Sequence, residues 1–245
     1  MQDLPGTDLS GVETSPQPLE PERVRAGAEP PLDSDSPVAR RWVVATWVAA
    51  GLWLLLLAVP VLATSVQVVD DWVWQLAVSA EQGTLVAMAT ALDVVGGALV
   101  MGVGVVGVAL LLAWWRRWPA LAVWLTVAAT SQVLNVLIKE LYERPRPPLP
   151  LVEVRSWSFV SGHALTTAAF AVALVLILVP ASTRRRTLLV AAVAYALVMA
   201  ASRVYLRAHW SSDALAGVTV GAATALAIVV VASWWEARTA SSTGR

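Results

Sequence analysis

The 245-residue chain contains no cysteine, one lysine (Lys139) and two histidines (His163 and His209). The first absence excludes disulfides, thiolate metal sites and cysteine nucleophiles. Charge is scarce as well: 14% of residues are charged and 58% are hydrophobic, with a mean hydropathy of +0.67. A soluble domain is roughly 45–50% apolar and about 25% charged, so a soluble, extracellular or nucleic-acid-binding domain is excluded. The 17 basic and 17 acidic residues cancel, leaving no net field to recruit a polyanion. In so apolar a chain, the lone lysine and the two histidines need a reason to be present.

Residues 1–39 differ from the rest of the chain. They hold seven of the fourteen prolines and eight of the seventeen acids, against two arginines, and no aromatic residue. Such a segment buries too little apolar surface to offset its ordering entropy. A disordered acidic tail is expected, and it is not a secretory signal, which would begin with a basic stretch.

After Arg40 and Arg41 the sequence turns apolar. Uncharged windows cover 42–69, 118–138, 164–183, 187–202 and 214–235, and a sixth, 84–115, contains only Asp93. A bilayer-spanning helix takes roughly 20 apolar residues. Five windows reach that length, and 187–202 is short unless its ends continue. The expectation is an all-α integral membrane protein. A membrane domain over 40–238 carries six transmembrane helices, or five, and a disordered end over 239–245 comes after it. Arginines at 40–41, 116–117, 184–186 and 238 fall on one side of a six-span chain, which the positive-inside rule makes cytoplasmic together with both termini. Many of the thirteen tryptophans lie near span ends, as in an aromatic belt. In the first outer loop, Val69, Trp72, Val73, Leu76, Ala77 and Ala80 recur at helical spacing. That pattern suits either a short interfacial helix or a surface-packed connector.

Against that orientation, Lys139, Arg144, Arg146, Arg155, Arg203 and Arg207 sit on the outer side with both histidines. Binding an anion is the direct cause of such a cluster. Lys139 ends the third window, and the Arg144-Pro145-Arg146-Pro147-Pro148 run stops the helix and holds the chain extended. Ser161-Gly162-His163 opens the fourth window, where free N–H groups and the positive dipole end make an anion site. Ser202-Arg203 ends the fifth, and His209 and Asp213, four apart, share a face if helical. A carboxylate there can hold the imidazole's Nδ1–H and leave Nε2 as nucleophile.

The pattern Lys139-x6-Arg146-Pro147, Ser161-Gly162-His163, Ser202-Arg203-x5-His209-x3-Asp213 resembles the three-part signature of the type 2 phosphatidic acid phosphatase superfamily. That superfamily includes membrane lipid phosphatases, polyprenyl-diphosphate phosphatases, glucose-6-phosphatase and the vanadium haloperoxidases. The resemblance covers about 139–213 and departs at Val160, where the second motif usually carries proline. It implies a membrane phosphatase acting on a lipid phosphate or diphosphate at the extracytoplasmic face of the cell membrane. Polyprenyl diphosphate, phosphatidic acid and phosphatidylglycerol phosphate are the leading substrates. Lys139, Arg146, Ser161, Gly162 and Arg203 would bind phosphoryl oxygens, His209 would attack phosphorus, Asp213 would orient it, and His163 would protonate the leaving oxygen. No metal or other cofactor is implied. The substrate's tail and headgroup and the oligomeric state stay open. So do a phosphotransferase using the same motifs and, less favoured, a haloperoxidase or an organic-anion transporter.

Three further expectations concern the remaining charges. Asp93 should pair with Gln132 or Asn135, a place on the substrate path being the alternative. Glu140, Glu143 and Glu153 should pair with Arg144 and Arg155 rather than hold a metal. Tyr142 and Arg207 are either contacts around the site or plain loop residues.

Overall fold

A computed structural model describes residues 37–58 and 60–243. Residues 1–36 of the expected acidic tail lie outside the described residues, and 37–39, expected to belong to it, instead open the first helix. Eight helices succeed one another, with no strand among the described residues: α1 Pro37–Ala58, α2 Pro60–Ser79, α3 Gly83–Gly96, α4 Ala98–Trp114, α5 Trp118–Tyr142, α6 Gly162–Leu178, α7 Thr183–Tyr205 and α8 Ser211–Thr243. The described residues are therefore all-helical in their regular structure, as expected from the apolar windows. The last helix runs past residue 238, the expected end of the membrane domain, so 239–243 are helical rather than part of a disordered end.

Among the described residues, three segments are long and apolar enough to cross a bilayer: α5, α7 and the Ser211–Glu236 part of α8. The pair α3 and α4, bent by 47° at its break, passes the same test taken together. That pair fills the expected second window. Its break falls at the Gly96-Gly97 dipeptide, where Gly97 adopts an extended conformation and its N–H bonds to Val94 O. The first window is divided between α1 and the start of α2. The expected loop helix over 69–80 is therefore the continuation of α2 rather than a separate piece.

α6 is the buried centre. Its 17 residues are almost all apolar, and ten are buried. At about 1.5 Å per residue it is only about 25 Å long, and Pro180 lies just beyond its end. It packs on α5, α7 and α8. The approach to α8 is close because α8 offers glycine: a Cβ on Gly217 would lie 2.6 Å from the carbonyl oxygen of Ser161, and one on Gly221 would collide with that of Leu165. Leu112, Trp124, Val127, Val172, Leu176 and Val229 fill the core around this pair, each large side chain contributing roughly 1.5–3 kcal/mol of transfer free energy.

Helix direction then assembles the site. α5 and α7 end, and α6 and α8 begin, at the same end of the bundle. Ser161 N–H bonds to Asp213 O and Leu151 N–H to Leu206 O, both at 3.0 Å, tying the connecting loops together. Tertiary contacts thus bring Lys139, Gly162, Arg203 and Asp213, spread over 75 positions of sequence, to one place.

Candidate active site

A cleft of about 330 Å³ opens at this end, lined by Asn135, Lys139, Arg146, Gly162, His163, Arg203 and His209, with residues 153–156 at its rim. Six of the eight residues singled out from sequence line it. Ser161, buried beside Gly162, and Asp213, buried behind His209, complete the set.

Lys139 sits in the last turn of α5, which Glu143 closes in the left-handed conformation (φ 42°) with its N–H on Lys139 O. Its ammonium donates to Trp157 O at 2.6 Å. Pro145 and Pro147 fix the chain around Arg146, whose guanidinium is held by three carbonyls: Nε donates to Ser156 O (2.5 Å), Nη1 to Ala208 O (2.5 Å) and Nη2 to Trp157 O (3.1 Å). These acceptors pre-set the fork without neutralising it. Burial, and next the Arg203 charge, bring the Arg146 pKa down to about 10, so it stays cationic near neutrality.

Ser161 and Gly162 form the entry to α6. The first N–H groups of any helix lack a partner within it, and the Ser161 hydroxyl is buried with no partner among the described residues. Val160, where the motif usually has proline, is fully buried against the core with Phe159. Packing fixes the turn that proline would otherwise pre-set.

His209 lies in the turn between α7 and α8, after Arg207 in the left-handed region (φ 54°). Its Nδ1 is 2.7 Å from Ser158 O, and its Nε2 is 3.2 Å from Arg146 Nη1. A carbonyl only accepts and a guanidinium only donates, so the proton is on Nδ1 and the Nε2 lone pair faces the cleft. Burial, opposed by Asp213 and reinforced by Arg146 and Lys139, pushes the His209 pKa down to about 3. The imidazole is neutral at physiological pH, the state a nucleophile requires.

The direct carboxylate–imidazole bond expected from the spacing does not form. His209 precedes α8 rather than sharing a helical face with Asp213, and Asp213 Oδ2 is 3.8 Å from Nδ1, beyond hydrogen-bond reach. The Asp213 carboxylate instead accepts from the Ser158 hydroxyl, from Trp210 N–H (3.0 Å) and from Arg144 Nη1 (2.5 Å). It fixes both the residue that holds Nδ1 and the residue next to His209.

Two other pairings differ from expectation. Arg144 bonds to neither Glu140 nor Glu143, which are exposed. It bridges Asp213 and Asp70, with Nη2 donating to Asp70 Oδ2 at 2.7 Å, and Asp70 also accepts from Ser212 N–H at the start of α8 (2.9 Å). Asp93 bonds to neither Gln132 nor Asn135: its Oδ1 pairs with Arg203 Nη1 and stands 3.1 Å from His163 Nε2. Asp93 thus meets two residues that line the cleft, while Asn135 reaches the space beside Gly162. Glu153 does pair with Arg155, at the exposed rim. Tyr142 packs on Phe159 at 4.9 Å between ring centroids, and Arg207 turns to Glu81. Sequence reading assigned no site role to Ser158 or to Asp70. Buried side chains with several donors around them are visible only once the loops are folded.

The arrangement is a cradle for an anion: three cations and a helix N-terminus converge on one cleft, with a neutral imidazole lone pair inside. Comparison with known proteins agrees. The PAP2 superfamily sequence model matches residues 119–237. Phosphatidylglycerophosphatase B of Bacillus subtilis (strain 168) is 30% identical over an alignment of 177 residues that covers 69% of this chain and 86% of that one. A crystal structure of the transmembrane PAP2-type phosphatidylglycerolphosphate phosphatase from Bacillus subtilis matches at a TM-score of 0.66 and 27% identity, covering 76% of this chain and 93% of that one. The crystal structure of Aquifex aeolicus LpxE, 19% identical, shares the fold at a TM-score of 0.50 over 63% of this chain and 91% of its own.

Proposed function

Because the chain belongs to the PAP2 superfamily and is a membrane phosphatase acting on lipid phosphates, we propose that it works by transient transfer of the phosphoryl group to His209 Nε2. The observation that carries this is the His209 tautomer: Nδ1–H is held by Ser158 and the Nε2 lone pair is turned toward Arg146 in the cleft.

Phosphoryl transfer depends mostly on positioning and charge stabilisation. Lys139, Arg146 and Arg203 hold the phosphoryl oxygens, the arginines in planar fashion and the lysine as a point charge. The Ser161 hydroxyl and the Gly162 N–H complete the cradle. Nε2 attacks, a P–N bond forms, and the P–O bond to the lipid breaks. His163 gives a proton to the departing oxygen. Water then attacks the phosphohistidine with His163 accepting its proton, the P–N bond breaks, and inorganic phosphate leaves. Asp213 stabilises the positive charge on His209 through space and through Ser158. No step calls for a metal.

The substrate favoured is phosphatidylglycerol phosphate, from the likeness to the Bacillus phosphatases; phosphatidic acid and polyprenyl diphosphate are the other members of the class. Six spans, with the cleft at headgroup depth on the extracytoplasmic side and both termini cytoplasmic, agree with the placement of arginines along the chain. The test is phosphate release in detergent with EDTA present, over those three lipids, for wild type and His209→Ala. Release by wild type alone, with an acid-labile phosphoenzyme on quenching, is the expected result. Equal release by both proteins rules the nucleophile out. Transfer to an added alcohol without free phosphate would make the protein a transferase.

A further inference from the structure

Asp93 belongs to none of the three motifs, yet it makes two contacts in the cleft. Its Oδ1 pairs with Arg203 Nη1 and stands 3.1 Å from His163 Nε2, and its own backbone carbonyl is also 3.1 Å from that nitrogen. That carbonyl has no helical partner, because α3 stops at Gly96 and Gly97 N–H bonds to Val94 O instead. One residue thus meets His163 Nε2 with two acceptors. Since a carbonyl only accepts, Nε2 carries a hydrogen. The other nitrogen, Nδ1, has no partner among the described residues.

The approach is built into the sequence. Gly96 packs beside the contact, against the ring carbon next to Nε2: a Cβ there would lie 2.7 Å from His163 Cδ2 and 2.9 Å from Met199 Cε. Any larger residue at 96 pushes the ring and α3 apart. The other charged or titratable groups lining the cleft are Arg203 from α7, Arg146 from the loop before α6, Lys139 from α5, His209 and, at the exposed rim, Glu153 paired with Arg155. Away from the rim pair, all but the neutral His209 are cations, and Arg203 and Arg146 oppose a positive charge on His163. Among the described residues, Asp93 is the one acid bonded to it.

We propose that Asp93 is a positioning residue for proton transfer: it holds His163 through Nε2–H and supplies the counter-charge to the imidazolium, so that Nδ1 protonates the departing lipid oxygen. This rests on the phosphoryl-transfer reading above. As the P–O bond breaks, the electron pair goes to the lipid oxygen, the Nδ1 proton goes with it, and His163 is left neutral with Nε2–H still on Asp93.

A dependence on the leaving group separates this role from a merely structural one. An alkoxide needs a proton to depart, whereas 4-nitrophenolate does not. The ratio kcat/KM reports steps up to departure of the alcohol, so later hydrolysis of the phosphoenzyme does not enter. The experiment compares phosphatidic acid with 4-nitrophenyl phosphate in detergent for wild type, Asp93→Asn, His163→Asn and His209→Ala. Asp93→Asn keeps an acceptor oxygen but loses the charge. It should lower kcat/KM on the lipid by about a hundredfold, within the usual range of general acid catalysis, and by at least tenfold more than on the aryl ester; His163→Asn should show the same bias. If Asp93→Asn does not accumulate as folded protein, Gly96→Ala, which displaces the ring without touching the charge, carries the same expectation. Equal loss on both substrates, or none, overturns the proposal. If His209→Ala stays active on the aryl ester, the nucleophile assignment fails instead.

Discussion

The Nδ1 of His209 lies 2.7 Å from the carbonyl oxygen of Ser158, while the carboxylate of Asp213 stands off at 3.8 Å. The acid works at one remove. It accepts from the Ser158 hydroxyl, so its charge and the carbonyl that fixes the imidazole belong to one network. Ser158→Ala keeps the carbonyl and removes only the hydroxyl. It should lower kcat/KM a few-fold and cost about 1–2 kcal/mol of stability, the usual loss when a buried acceptor loses one of several donors. Asp213→Asn should do more on both counts, since it also removes the charge opposite Arg144. Steady-state kinetics and thermal unfolding in detergent read both. Ser158→Ala losses equal to those of Asp213→Asn would contradict the indirect arrangement.

Burial of His209 also makes stability depend on pH. Its pKa falls from an ordinary value near 6.5 to about 3 on folding. Between those values the unfolded chain binds a proton that the folded chain does not, so stability falls as pH drops through that window. It is fully present above about pH 6.5. His209→Asn removes the titrating ring. The difference in Tm, wild type minus His209→Asn, should therefore shrink steadily from pH 7 to pH 4, measured by differential scanning fluorimetry. A difference independent of pH would mean that His209 is not buried neutral.

Much of the cleft was legible in the sequence because its parts obey local rules. The end of an apolar window, a proline-locked loop, a Ser-Gly helix entry and a His-Asp pair each have a spacing, and together they named eight residues that the fold does bring together. Asp93 was conspicuous as an acid in an apolar window, but its partner was not readable. Arg203 lies 110 positions away, and nothing local links the two. The helix break just beyond Asp93 was written only as a Gly96-Gly97 pair. The same holds for Arg144. Its nearest acids in sequence, Glu140 and Glu143, were the natural guess, yet helix packing supplies two buried carboxylates from α2 and α8. Local spacing gives the reactive groups; tertiary packing decides which counter-ion each receives.

Arg144 is the joint of that second network. It is the only cation paired with Asp70 and Asp213 among the described residues, and both acids are essentially inaccessible. Arg144→Ala leaves two buried carboxylates without their counter-charge and should cost about 3–5 kcal/mol, with activity falling alongside. Arg144→Lys should restore only part, because an ammonium lacks the fork that reaches both acids at once. Thermal unfolding of the three proteins decides. A full rescue by lysine would show that net charge, not the bridge, is what matters.

The contact between α6 and α8 sets the cradle's position. A methyl on Gly217 would lie 2.6 Å from Ser161 O, 3.1 Å from Ala164 Cβ and 3.2 Å from Leu165 N, so backbone rather than a flexible side chain must give way. Gly217→Ala should cost about 1–3 kcal/mol, as overpacking does in a tight interior. Because the displaced atoms are the entry turn of α6, it should also raise KM for the lipid phosphate through the Ser161–Gly162 part of the site. Gly104 in α4 has nothing within 4 Å of its Cβ position. Gly104→Ala should be neutral or stabilising by up to about 1 kcal/mol, since alanine is the better helix former. Unfolding and KM measured on the pair test whether the α6–α8 approach is what places the anion cradle. A Gly217→Ala protein that unfolds like Gly104→Ala with an unchanged KM would show that it is not.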